Sequence, residues 1–139
     1  MRLDPLCELE LAYRNLVVIS PYGATDGAAY GEGEGKAIGD RLNGTARWSN
    51  HPKRRGDGVF LPDAHGVIET EDGGTVLFHL RGRTLFDDES GRQNLVLTFE
   101  SESDSYRWLN HEVCVAEGVI DAERGAMHAN VYVCVNELS

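Results

Sequence analysis

Apolar and polar residues alternate one by one through most of this chain, and that period of two excludes more architectures than any other feature of it. In LCELELAY, Leu6 opens a run in which Cys7, Leu9, Leu11 and Tyr13 share one face while Glu8 and Glu10 occupy the other. Side chains two apart point to the same side of a strand, so the run reads as half-buried β-structure and not as helix. NLVVIS continues it, PYGATDGAAYGEGEG supplies turn residues, and GTARWSN sets Ala46 and Trp48 against Thr45, Arg47 and Ser49.

The same pattern recurs downstream. AHGVIET places His65, Val67 and Glu69 on one face, opposite Ile68 and Thr70. EDGG is a hairpin turn, because Asp-Gly suits the positive φ angles of primed turns. TVLFHLRGR is its partner strand, with Val76, Phe78 and Leu80 facing one way and Leu77, His79 and Arg81 the other. DDESGR is the next turn, and NLVLTFES groups Leu95, Leu97 and Phe99. YRWLN fits either a strand start or a short helical turn. EVCVAEGVI and MHANVYVCVN then pair across DAERG, with Met127, Ala129, Val131, Val133 and Val135 on one face of the last run.

About eight strands with hairpin-length links predict an all-β, antiparallel barrel or sandwich. A closed β-barrel is preferred, since closure removes edge strands and an interior can hold one small ligand. At 139 residues and 41% hydrophobic content the chain suffices for one domain, residues 1–139, with its own core.

Charge and cysteine usage remove several function classes. A net charge of -10 opposes nucleic-acid binding, because the summed field repels phosphates. Against that background NHPKRRGDG is anomalous, with Lys53, Arg54 and Arg55 side by side. It is short and lacks interleaved aromatics, which leaves two readings: a solvated loop, or a lid whose arginine holds an anionic oxygen over a pocket. Three cysteines at unrelated spacings form no disulfide framework, and MRLDPLCELELAYRN has no apolar leader core. With no apolar run long enough for a membrane helix, a cytoplasmic protein without membrane partners is expected.

No motif demands a cofactor. Gly31, Gly33 and Gly35 follow G-x-G-x-G with no helix pattern after them, so a glycine-kinked strand at a barrel corner fits better than a phosphate loop. The five histidines include no H-x-H pair, and neither a metal nor a cofactor is expected. His65 and Glu69 share a strand face, where a hydrogen-bonded pair would tune His65 for acid-base work. Trp48 and Trp108 each precede an asparagine by two positions, Asn50 and Asn110. They serve either as plugs for the barrel ends or as aromatic walls beside hydrogen-bonding amides.

The run GDRLNGTARWSNHPKRRGDGVFLPDAHGVIETEDGGTVLFHLRGR, with YRWLNHEVCVAEGVI and VYVCV, resembles the family called domain of unknown function 3237. The resemblance rests on Leu42 and Gly44 of an L-x-G strand start, the LPDAHGVIET segment, the DGG turn and Y-x-W-L-N. It implies a small β-barrel similar to the allene oxide cyclase or calycin type, often oligomeric, so a homo-oligomer is possible. Some fungal relatives look like pericyclases that need no cofactor. RWSNHPKRR stands where many members show a glycine-rich G-A-D-W, so the acid of that motif has no counterpart here. Asp63, His65, Trp108 and Asn110 fall in the better-matched segments.

The combined expectation is a cofactor-independent cyclase or isomerase of secondary metabolism acting on a small oxygenated substrate. Arg54 or Arg55 would stabilise oxygen charge, His65 with Glu69 would shuttle a proton, and Trp48, Asn50, His51, Asp63, Trp108 and Asn110 would bind. The alternative is a non-catalytic small-molecule carrier barrel.

Overall fold

In the computed structural model, which describes residues 1–138, the alternating runs become strands and the strands close on themselves. Among the described residues they are β1 (Arg2–Ile19), β2 (Gly27–Ile38), β3 (Gly44–Asn50), β4 (Lys53–Arg54), β5 (Phe60–Leu61), β6 (Asp63–Thr70), β7 (Thr75–Asp87), β8 (Ser90–Glu100), β9 (Cys114–Asp121) and β10 (Ala126–Val135). The eight long strands pair antiparallel in the cyclic order β1-β2-β3-β6-β7-β8-β9-β10 and back to β1. The two short ones leave the ring, β4 pairing with the start of β2 and β5 with Thr84 of β7. Such closure satisfies the backbone of every long strand on both sides.

Inward positions carry the core. Leu9, Ile68, Val76, Leu97, Phe99, Cys114 and Val131 are fully buried and fill one half of the barrel. Burying each large side chain contributes about 1.5–3 kcal/mol. YRWLN resolves as a 3-10 helix, Arg107–His111, whose Leu109 has 0% exposure and stops that end. A bulge between Pro5 and Cys7 turns both Leu6 and Cys7 inward, which strict alternation forbids.

The segment read as turn residues is mostly strand. The link spans only residues 20–26, and GAAYGEGEGKAI forms β2 with Gly31 and Gly33 inward and Glu32 and Glu34 outward. These glycines lie in a strand and not in a phosphate loop, and close backbone approach gives a physical reason for them. A Cβ on Gly35 would lie 1.9 Å from the Glu10 carbonyl oxygen on β1, so the two backbones approach closer than any side chain permits.

The cysteines are unpaired: Cys7 and Cys114 are buried and Cys134 is half-buried. Burial pushes the thiols of Cys7 and Cys114 up to about 12. Only Cys134 is therefore expected to react with a thiol reagent such as Ellman's in the native protein, and all three after unfolding. Rapid native labelling of three thiols would contradict the packing described for β1 and β9. Among the described residues no helix is long and apolar enough to cross a membrane.

Candidate ligand site at the barrel mouth

The half of the barrel opposite the 3-10 helix is hollow. Inward positions there run out of large side chains: β7 passes from Phe78 and Leu80 to Gly82 and Thr84, and β8 from Leu97 and Leu95 to Gln93 and Gly91. The resulting cavity holds about 230 Å³. Its walls are apolar, formed by Leu16, Val18, Ile19, Phe60, Phe86 and Ile120. An engineered apolar cavity of about 150 Å³ accepts benzene, so this one suits a one- or two-ring molecule.

Its polar groups are few and fixed. Asn50, 9% exposed, accepts a hydrogen bond at Oδ1 from the Asp63 backbone N–H (2.9 Å) and donates from Nδ2 to the Tyr13 hydroxyl (2.8 Å). The backbone donor settles which way the amide faces. Since Tyr13 accepts from Asn50, its own proton remains to be donated. Burial pushes the Tyr13 pKa upward, against the Asn50 hydrogen bond, which keeps that proton in place.

Across the cavity, buried Gln93 donates from Nε2 to the Thr84 hydroxyl (3.0 Å), and its Oε1 is buried with no partner. An unsatisfied buried acceptor costs about 1–3 kcal/mol. Tyr13 thus offers an O–H donor, and the Gln93–Thr84 pair gives the opposite wall a polar segment.

The basic loop forms part of this wall. Arg54 lines the cavity, its guanidinium carbon 5.7 Å from the Phe60 ring centre. Arg55 instead pairs with Asp57 at 2.7 Å and is not among the lining residues. Of the two readings of NHPKRRGDG, Arg54 fits the pocket wall and Arg55 the solvated loop.

Other expected site residues are dispersed. His65 and Glu69 do share a face, but it is the outer one, and no bond joins them: Glu69 accepts from Thr75 Oγ1 (3.0 Å) and pairs with Arg47 (3.5 Å). Four residues along a strand are too far apart to pair when cross-strand partners stand closer. Asp63 also faces outward, 2.7 Å from His79 Nε2. His51 stacks on Tyr30 outside the cavity lining (5.2 Å between ring centres).

The tryptophans do not form facing walls. Trp48 shares the inward face with Ala46 and Asn50 and packs edge-on to Tyr13 (4.6 Å), beneath the cavity. Trp108 lies at the other end, under the Arg41 guanidinium (4.4 Å). Asn110 ties the 3-10 helix to the residue just after β8, donating from Nδ2 to the Ser101 carbonyl (2.6 Å) and accepting from its N–H (3.2 Å).

Sequence reasoning missed Tyr13, Thr84, Gln93, Phe60 and Phe86. One signal for the central pair was present: Thr84 and Gln93 are polar residues at the inward phase of otherwise apolar runs.

Fold and site together define a closed eight-stranded β-barrel with one stoppered end and one ligand-sized mouth. Residues 2–134 match the family described as protein of unknown function (DUF3237), and the chain belongs to that family. Among solved structures it is similar to a β-barrel-like protein from Acinetobacter baumannii, at 17% identity and a TM-score of 0.84 over 95% of this chain and 94% of that one. It is also similar to a protein with unknown function from Clostridium acetobutylicum, at 16% identity and a TM-score of 0.85 over 95% and 97% of the two chains. An enzyme from Penicillium herquei shares 20% identity and a TM-score of 0.70, over 94% of this chain and 93% of its own. No curated protein matches this chain.

Proposed function

We propose that this protein is a cofactor-independent cyclase or isomerase that folds a small oxygenated organic substrate inside the barrel mouth. The observation that carries the reading is the cavity itself: apolar walls around the paired floor groups Asn50–Tyr13 and Gln93–Thr84. Apolar walls impose a reactive conformation, and orientation alone lowers a barrier by several kcal/mol, about 7–11 in the best cases. The Tyr13 O–H donates to a substrate carbonyl and stabilises negative charge that develops on it. The Gln93–Thr84 pair gives the wall a polar segment that orients a substrate oxygen, and Arg54 at the rim balances an enolate or carboxylate. The fungal neighbour's description as an enzyme supports a catalytic reading.

The competing reading is a carrier, favoured by the absence of His, Asp or Glu among the described residues lining the cavity. One experiment addresses both. The protein is screened by thermal shift with hydroxyaryl carbonyl compounds, including 2-hydroxyacetophenone as a binding probe and 2′-hydroxychalcone, whose phenol oxygen can add across its enone to give the isomeric flavanone without a co-reactant, and each mixture is followed by NMR. Binding to the folded state alone must raise Tm. A catalyst transforms at least one bound member, and Tyr13→Phe slows that turnover about 100-fold while keeping the ring against Trp48. A carrier returns every ligand unchanged. If no member raises Tm, the mouth is not a site for this class.

A further inference from the structure

A second site lies on the outer wall, where β6 and β7 run side by side. His65 and His79 are directly opposed in the ladder, and their rings stack with centres 4.1 Å apart at 10°. Asp63, two residues before His65, points from the same face. Its Oδ1 lies 2.7 Å from His79 Nε2 and 3.9 Å from His65 Nε2. One ligand atom from each of the three residues falls within 4.8 Å of the others.

We propose that Asp63, His65 and His79 form a binding site for a borderline divalent metal ion such as Zn²⁺. Metal–ligand bonds of about 2.0–2.1 Å in a tetrahedral arrangement put ligand atoms roughly 3.3 Å apart. The two distances to Asp63 Oδ1 bracket that value, so the metal replaces the proton between His79 and Asp63 and draws His65 inward. The imidazoles tilt apart to converge on one ion, and partial exposure of both side chains (60% and 33%) leaves them room. Two imidazoles and a carboxylate suit Zn²⁺ over Ca²⁺ or Mg²⁺, which prefer oxygen ligands.

Neighbours on this face act in both directions. Ser49 lies opposite His65 and Thr98 opposite His79, placing hydroxyls where outer partners of a metal site belong. Arg81, opposite Asp63, opposes a cation locally. The chain's net charge of -10 favours one at longer range. With three protein ligands, the fourth position faces solvent and takes water. The site is on the outer surface and does not depend on what the mouth binds.

The test is isothermal titration of chelator-treated, reduced protein with Zn²⁺ alone. One equivalent is expected to bind, and Tm is expected to rise with metal. His65→Gln and His79→Gln are each expected to weaken binding at least tenfold, with metal-free far-UV circular dichroism and Tm unchanged within a few degrees. His128→Gln, in the separate group with Glu8 and Glu10, is expected to bind like the parent. No heat of binding up to millimolar Zn²⁺ overturns the proposal. So does undiminished affinity in the His65→Gln, His79→Gln double variant, which would place the ion on other groups such as the cysteines.

Discussion

Gly35→Val is expected to yield no folded barrel. The new Cβ would lie 1.9 Å from the Glu10 carbonyl oxygen and 2.8 Å from the Leu11 Cα, both backbone atoms of the neighbouring strand. A flexible side chain can swing away from such an intruder, but strand backbone cannot without giving up its ladder. The affected pairs, Glu10–Lys36 and Leu11–Gly35, lie within the seam where β1 joins β2. Forcing that seam apart costs more than about 4 kcal/mol, a large share of the 5–15 kcal/mol that hold a domain together. Lys36→Val, one residue on and outward, is expected to stay within about 1 kcal/mol of the parent. Urea unfolding followed by circular dichroism distinguishes the two, and a parent-like midpoint for Gly35→Val would refute the described strand contact.

The second large effect concerns the mouth. Gly91→Leu is expected to keep the fold and abolish ligand binding. A Cβ there meets Ile120 Cγ2 at 2.7 Å, Phe86 Cε1 at 2.9 Å and Thr84 Cγ2 at 3.0 Å, all side-chain atoms of residues lining the cavity. These side chains border open space and can move, so added volume goes into the cavity and not against backbone. Filling it costs about 1–3 kcal/mol of stability. Any hydroxyaryl carbonyl compound that raises the parent's Tm is expected to bind Gly91→Leu at least 100-fold more weakly, a loss of about 2.7 kcal/mol. Undiminished affinity in this variant would move the ligand site elsewhere.

These two glycines also show where sequence reading works and where it stops. Alternation identifies a strand when the inward residue is visibly apolar, as in Leu9 and Leu11 or Leu95, Leu97 and Phe99. In GEGEG the inward residue is glycine, which carries no hydrophobic signal, so a continuous strand resembles a run of turns. The number of strands and the shortness of their links pointed to a barrel or a sandwich, and the cost of open strand edges favoured closure into a ring.

The site was less legible, because a cavity is defined by what is missing. Nothing in the sequence of Gly91 or Thr84 says that neighbouring strands also thin out at the same level. His65 and Glu69 drew notice as chemically capable residues on a common face. Which face of a half-buried strand points inward is decided by Ile68 and Thr70, not by the chemistry of the other side. Arg54 stood out because the 50–58 segment is compositionally unusual, and Asn50 because it follows Trp48 by two positions; both line the mouth.

The ring is closed by the first strand lying against the last, from Arg2 opposite Val135 to Ala12 opposite Ala126. Of the strands in the ring, β1 is synthesised first and β10 last. While the rest of the chain emerges, β1 can settle against β2, but its other edge has no partner until β10 leaves the ribosome. Long-range pairing of this kind folds slowly, and an open apolar-backed edge invites wrong partners in the interval. The barrel's completion thus waits on its last strand, and the vulnerable interval runs from the emergence of β1 until β10 reaches it.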